Sequence, residues 1–82
     1  MTDLVRKVLE VAAAQGAVRV TAISVTLGAL SHFTPAHFRE HFEDAARGTL
    51  AEGARIDAVI DPDLAAPHAQ GVRLDRLQVS AP

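Results

Sequence analysis

Apolar residues near the start of the chain recur at Leu4, Val5, Val8, Leu9 and Ala12, while Arg6, Lys7 and Glu10 fall on the remaining faces. That spacing is one stripe of an amphipathic helix. Thr2 or Asp3 can accept a hydrogen bond from a free backbone amide at its start, and Gly16 supplies a residue that readily adopts the left-handed stop. From Ala17 to Leu27 the pattern turns to alternation among β-branched residues, with Val18 and Val20 in one phase and Ile23, Val25 and Leu27 in the other. A strand is expected there, and its one slip of phase means either a bulge or apolar cover on both faces. Beyond Gly28 a second helix is signalled by Thr34 as N-cap, Pro35 at the first helical position and Phe33 placed to pack on Phe38. Its inner stripe is Phe38, Phe42 and Ala45. Gly48 is the expected stop, and the capping-box spacing of Thr49 and Glu52 predicts one further tight turn closed by Gly53.

A second strand follows, with Ala54, Ile56, Ala58 and Ile60 on one face and Arg55, Asp57 and Val59 on the other, and Asp61-Pro62 breaks it. After an irregular connector to Gln70, a third strand runs from Val72 to Val79, and it too slips phase, from Val72 and Leu74 to Leu77 and Val79. The order helix, strand, helix, strand, strand predicts an α+β fold: two layers, with both helices packed on one face of a three-stranded sheet. Such a sheet has two edges. Arg73, Asp75 and Arg76 are placed to guard one of them, and an edge could also pair with another chain.

Composition narrows the field. With 82 residues, 49% of them hydrophobic, the chain fits one small globular domain spanning residues 1–82. A domain so short buries roughly 60% of the surface its unfolded chain exposes and is marginal without a staple or partner. There is no cysteine, which excludes disulfides, cysteine-ligated zinc and thiol catalysis. A net charge of −2 with scattered Arg and Lys argues against a nucleic-acid partner. No stretch approaches the roughly 20 apolar residues that a bilayer requires, so a soluble cytoplasmic protein with no membrane partner is expected. No serine stands in a nucleophile motif and no carboxylate pair is placed across a cleft, which makes a non-enzyme the expectation.

Three of the four histidines, His32, His37 and His41, fall within ten residues. His37 and His41 are one helical turn apart, so both rings can point to the same side and hold a transition ion, with His32, Glu40 or Asp44 adding a ligand or orienting a ring. The commoner role of such residues, on the flank of a helix whose core stripe is Phe38 and Phe42, is a solvated surface without a ligand. His68, isolated in the connector, is a weaker candidate of the same kind.

Several segments resemble one family. Gly28-Ala29-Leu30-Ser31, and then Arg47-Gly48-Thr49-Leu50-Ala51-Glu52-Gly53-Ala54-Arg55-Ile56 after the second helix, are similar to the turn and post-helix segments of the HypA-type hydrogenase nickel-incorporation proteins. Gln15-Gly16-Ala17-Val18-Arg19-Val20-Thr21 resembles that family's passage from helix to strand, and Gly71 to Val79 its final strand. The resemblance implies a nickel site at the N-terminus, anchored by a histidine directly after the initiator Met. Thr2 occupies that position here and Asp3 stands where the family usually has Glu, so the imidazole anchor for nickel is lost; a hydroxyl does not replace it for a divalent ion. The family also inserts a four-cysteine zinc module between its last two strands, where this chain has only a short connector at positions 61–70.

Two functions follow as expectations. The resemblance implies an accessory factor in nickel-iron hydrogenase maturation that acts by binding a hydrogenase precursor or other maturation proteins, with nickel binding weakened or lost. The alternative is a metal-free structural or interaction subunit, self-associating or built into a larger assembly, that reuses the scaffold. A third reading, a metal buffer, uses His37 and His41. No cofactor is required by any of these, and nickel is an optional ligand.

Overall fold

Thr2–Ala14 form the first helix, α1, in a computed structural model that describes residues 1–67 and 69–81. Its buried positions are Val5, Val8 and Ala12, the stripe that the pattern predicts, with Leu4 and Leu9 half-buried beside them. The helix begins one residue earlier than a Thr2 cap allows and two earlier than an Asp3 cap allows. Met1 is the N-cap, its carbonyl accepts from Val5 N–H at 3.1 Å, and no side chain caps the end. Thr2 and Asp3 are therefore inside the first turn, and the Asp3 carboxylate instead accepts from Arg6 at 3.1 Å. At the other end Gly16 takes φ +66°, and the amides of Gly16 and Ala17 bond the carbonyls of Ala13 and Ala12, the paired closure of a Schellman stop.

The remaining elements are β1 (Arg19–Leu27), α2 (Pro35–Ala46), β2 (Arg55–Ile60) and β3 (Val72–Ser80). The sheet order is β2-β1-β3, with β1 central, parallel to β2 and antiparallel to β3. Both phase slips are bulges. Between the pairs Val20↔Val79 and Ala22↔Gln78 the extra residue is Thr21 on β1, and between Ser24↔Arg76 and Val25↔Leu74 it is Asp75 on β3. Val20, Ile23, Val25 and Leu27 thus all turn into the core despite their mixed parity in the chain.

Thr34 caps α2 by accepting the His37 N–H at 3.1 Å, Pro35 is the first helical residue, and Phe33 meets Phe38 edge-on at 5.7 Å between centroids. Phe38, Phe42 and Ala46 are buried; Ala45, expected in the inner stripe, is half-buried at its margin. Gly48 has φ +81° and Gly53 φ +79°, which closes the predicted turn. The capping box does not form: the Thr49 hydroxyl donates to Ala46 O at 2.6 Å and accepts from Ala51 N–H at 3.1 Å, while the Glu52 N–H donates to the Thr49 carbonyl at 3.1 Å and not to its hydroxyl.

One core joins α1, α2, β1 and β2 on a single face of the sheet, centred on Phe38, Phe42, Ile23, Leu27 and Val8. The fold is the expected two-layer α+β arrangement. Only Ile56 of β2 is fully buried; Ile60, expected inward, is 48% exposed at the strand's end and Val59 on the outer face is 59% exposed. The connector after β2 is built from successive aspartate turns, Asp61 accepting from Asp63 N–H and Asp63 from Ala65 N–H, and it is stitched back to the end of β1 by Leu30 N–H to Ala69 O at 2.6 Å.

Candidate functional site

The Thr34 cap and Pro35 start α2 in a register that puts His37 and His41 on one exposed side, a turn apart. Their Nε2 atoms are 2.8 Å apart and their ring centroids 4.4 Å apart at an interplanar angle of 63°. Without an ion one neutral ring donates and the other accepts, since two neutral imidazoles share one hydrogen between facing nitrogens. Phe33 stands against both, 5.9 Å from the His37 ring and 6.2 Å from the His41 ring. The residue that staples the helix start therefore also walls the histidine pair.

His32 is exposed in the preceding turn at φ +65°, a left-handed conformation in which histidine is enriched among non-glycine residues. Its place is thus accounted for by the backbone. Among the described residues no group of three or more His, Asp or Glu side chains comes close enough to hold a metal together, so His32, Glu40 and Asp44 do not complete the pair. Asp44 is instead bound by Arg47 at 2.9 Å. His68 lies outside the described residues.

The N-terminal position has a different character. Met1, Asp3, Leu4, Phe33, Phe38 and Val72 line an open, largely apolar hollow of about 350 Å³ between the start of α1 and the start of α2. Thr2 is exposed, and the donors at this end are backbone nitrogen, the Thr2 hydroxyl and an Asp3 carboxylate already engaged by Arg6. A donor set without imidazole does not fit a nitrogen-anchored nickel site.

A third cluster escaped sequence reasoning. On the outer sheet face the bulge at Asp75 turns its carboxylate toward Thr26, whose hydroxyl donates to it, while Arg73 Nε donates to the same carboxylate at 2.6 Å. The Thr26 hydrogen bond first, then the hydrogen bond and charge of Arg73, outweigh burial and hold the Asp75 carboxyl below its ordinary value of 3.8. Arg73 and Asp75 read as a charged edge in the sequence; the partner Thr26 becomes visible only once the antiparallel register is known.

The helix-strand-helix-strand-strand order and the three-stranded mixed sheet match one known scaffold. A family model described as hydrogenase/urease nickel incorporation, metallochaperone, HypA, matches residues 1–71. The chain belongs to the HypA family. The hydrogenase maturation factor HypA of Methylocella silvestris is 51% identical over 39 residues, which are 48% of this chain and 34% of that protein. That of Acidithiobacillus ferrooxidans is 38% identical over 48 residues, 58% of this chain and 42% of that protein. The chain therefore spans well under half of these curated HypA relatives. The solution structure of the nickel metallochaperone HypA from Helicobacter pylori superimposes with a TM-score of 0.78 at 17% identity, covering 98% of this chain and 93% of that one, which fixes the HypA fold. The family is one of metallochaperones.

Proposed function

We propose that this HypA-family chain serves nickel-iron hydrogenase maturation as a partner-binding accessory, with nickel binding at the family's N-terminal position weakened or lost. Its family membership over residues 1–71 carries the reading. The loss of nickel affinity is supported by the donor chemistry at Thr2 and Asp3, where no imidazole stands. The partners are a hydrogenase precursor or other maturation proteins, met in the cytoplasm, and the chain itself catalyses nothing. No helix among the described residues is long and apolar enough to cross a membrane.

The sheet edges differ in a way that favours one docking surface. β3 is blunted by a bulge and by Arg73, Asp75 and Arg76, whereas β2 presents Val59 and Ile60, with Leu64 just beyond it 67% exposed. Recovery of proteins on the tagged chain from a host making nickel-iron hydrogenase tests the reading. Hydrogenase precursor or maturation proteins are expected, and they should be lost with the Val59→Lys/Ile60→Lys variant; a recovery that contains none of them refutes it.

A second reading, self-association through the same edge, is favoured by the hydrogen-bonding phase of β2. Asp61 N–H donates to Leu27 O at 2.9 Å, so by alternation the backbone groups of Ile56, Ala58 and Ile60 point away from β1. A two-fold pairing centred on Ala58 would oppose Ile56 with Ile60 and Arg55 with Asp61 of the second copy; one centred on Asp57 would oppose like charges. Light scattering after size exclusion distinguishes this reading, for a chain that stays monomeric at high concentration does not use the edge on itself.

A further inference from the structure

We propose that His37 and His41 form an open two-imidazole site for a divalent late first-row transition ion of square-planar or octahedral preference, nickel or copper rather than zinc. The bite of the pair carries the inference. Metal–imidazole bonds run about 2.0–2.1 Å, so two nitrogens 2.8 Å apart subtend roughly 85–90° at a shared ion. That is the angle between neighbouring positions of a square or an octahedron. A tetrahedral ion with the same bond lengths would hold its nitrogens about 3.3 Å apart, wider than the 2.8 Å found here.

The ion takes the place of the hydrogen between the two rings. Both Nε2 atoms then carry lone pairs to the metal, and the ring that donated its Nε2 proton holds it on Nδ1 instead, so neutral rings release no proton. Phe33 limits the motion of both rings from one side, which reduces the ordering needed on binding. Both histidines are exposed, and with no third His, Asp or Glu joining them among the described residues the remaining positions on the ion stay open to water or to a donor from another molecule. Such a site holds an ion transiently and hands it on more readily than a closed one. It gives the cargo of the proposed accessory role a place on the chain away from the family's N-terminal position, and it rests on that role only for the identity of the ion met in the cell.

Calorimetric titration of the whole purified chain with nickel chloride, and separately with zinc chloride, tests the site without any partner protein. One nickel ion per chain is expected, bound more tightly than zinc. Since loss of even an outer partner of a metal ligand costs about 10–100-fold in affinity, His37→Ala and His41→Ala should each weaken nickel binding at least tenfold. A third variant, His41→Ala with Arg39→His, keeps the number of histidines but moves one two positions away, where helix neighbours do not face each other, and it should be equally weak. Far-UV circular dichroism confirms that each variant keeps its helices, as exposed positions should allow. Undetectable nickel binding by the parent, undiminished binding by the double alanine variant, or tighter binding of zinc than of nickel would each overturn the proposal. None of these results depends on whether hydrogenase proteins are recovered in the pull-down.

Discussion

Replacing Phe38 by alanine attacks the point where the two helices, the sheet and the N-terminal hollow meet. The ring is fully buried, stands edge-on to Phe33 at 5.7 Å and packs against Phe42 at 6.1 Å. Truncating a buried Phe to Ala costs about 3–5 kcal/mol, the spread reflecting how far the surroundings collapse. The adjoining hollow of about 350 Å³ opens to solvent, so water can enter part of the space left behind, and the lower end of that range, about 3 kcal/mol, is the better value. A chain of 82 residues has a stability of roughly 4–12 kcal/mol at typical values per residue, so this one change removes a large share of it. At about 4–8 °C per kcal/mol for domains of this size, the melting temperature should fall by roughly 12–24 °C. Urea unfolding followed by far-UV circular dichroism measures the change directly. A loss under about 1 kcal/mol would mean that Phe38 is not the shared keystone of the core described above.

Three smaller perturbations probe other parts of the molecule. Thr34→Ala removes the side-chain acceptor of the His37 N–H and should cost about 1 kcal/mol in urea unfolding; an unchanged midpoint would show that the cap adds nothing. Asp75 has a lowered folded pKa, so its contribution is complete above the ordinary value of 3.8 and is lost as pH falls through the lower folded value. With the side chain a third exposed, Asp75→Asn should cost about 0.5–1 kcal/mol near pH 7, and the gap to the parent should narrow as pH falls below the ordinary value of 3.8; a gap of constant size refutes the assignment. Thr2→His restores an imidazole beside the N-terminal backbone nitrogens and should raise nickel affinity at least tenfold in a His37→Ala/His41→Ala background, read by calorimetry; no gain would mean that the weakness at this end has another cause.

Features encoded within a few residues were legible before any coordinates. Thr34-Pro35 and the Phe33-Phe38 staple mark the start of α2, and Gly16 ends α1, because capping and left-handed stops are settled by neighbours in the chain. The spacing of His37 and His41 was likewise enough to put the two rings together. Failures came where one local pattern had two outcomes. A hydroxyl at Thr2 or Thr49 can cap a helix or serve another turn, and the helix cap at Met1 and the absence of a helix after Thr49 decided against capping. His32 belonged to the histidine cluster by number alone, since the direction of a residue in a φ +65° turn is set by the turn. The parallel pairing of β1 with β2, the hollow beside Met1 and the Thr26–Asp75–Arg73 cluster join segments far apart in the chain and leave no periodic trace in it.

The two slips of phase oppose one another. Thr21 adds a residue to β1 and Asp75 adds one to β3, so the register that holds at Val20↔Val79 is restored at Val25↔Leu74 and continues to Leu27↔Val72. Either bulge alone would leave one end of β3 a residue out of step, turning Val72 and Leu74, or Leu77 and Val79, away from the core. The pair instead confines the shift to the middle of the ladder and uses the extra residue on the outer strand to aim a carboxylate at Thr26 and Arg73. A strand kinked and charged at that point is a poor template for another chain, which leaves β2 as the edge with backbone groups and apolar side chains on offer. Under the proposed role, the same irregularity that preserves the core favours β2, the far edge of the sheet, as the docking edge.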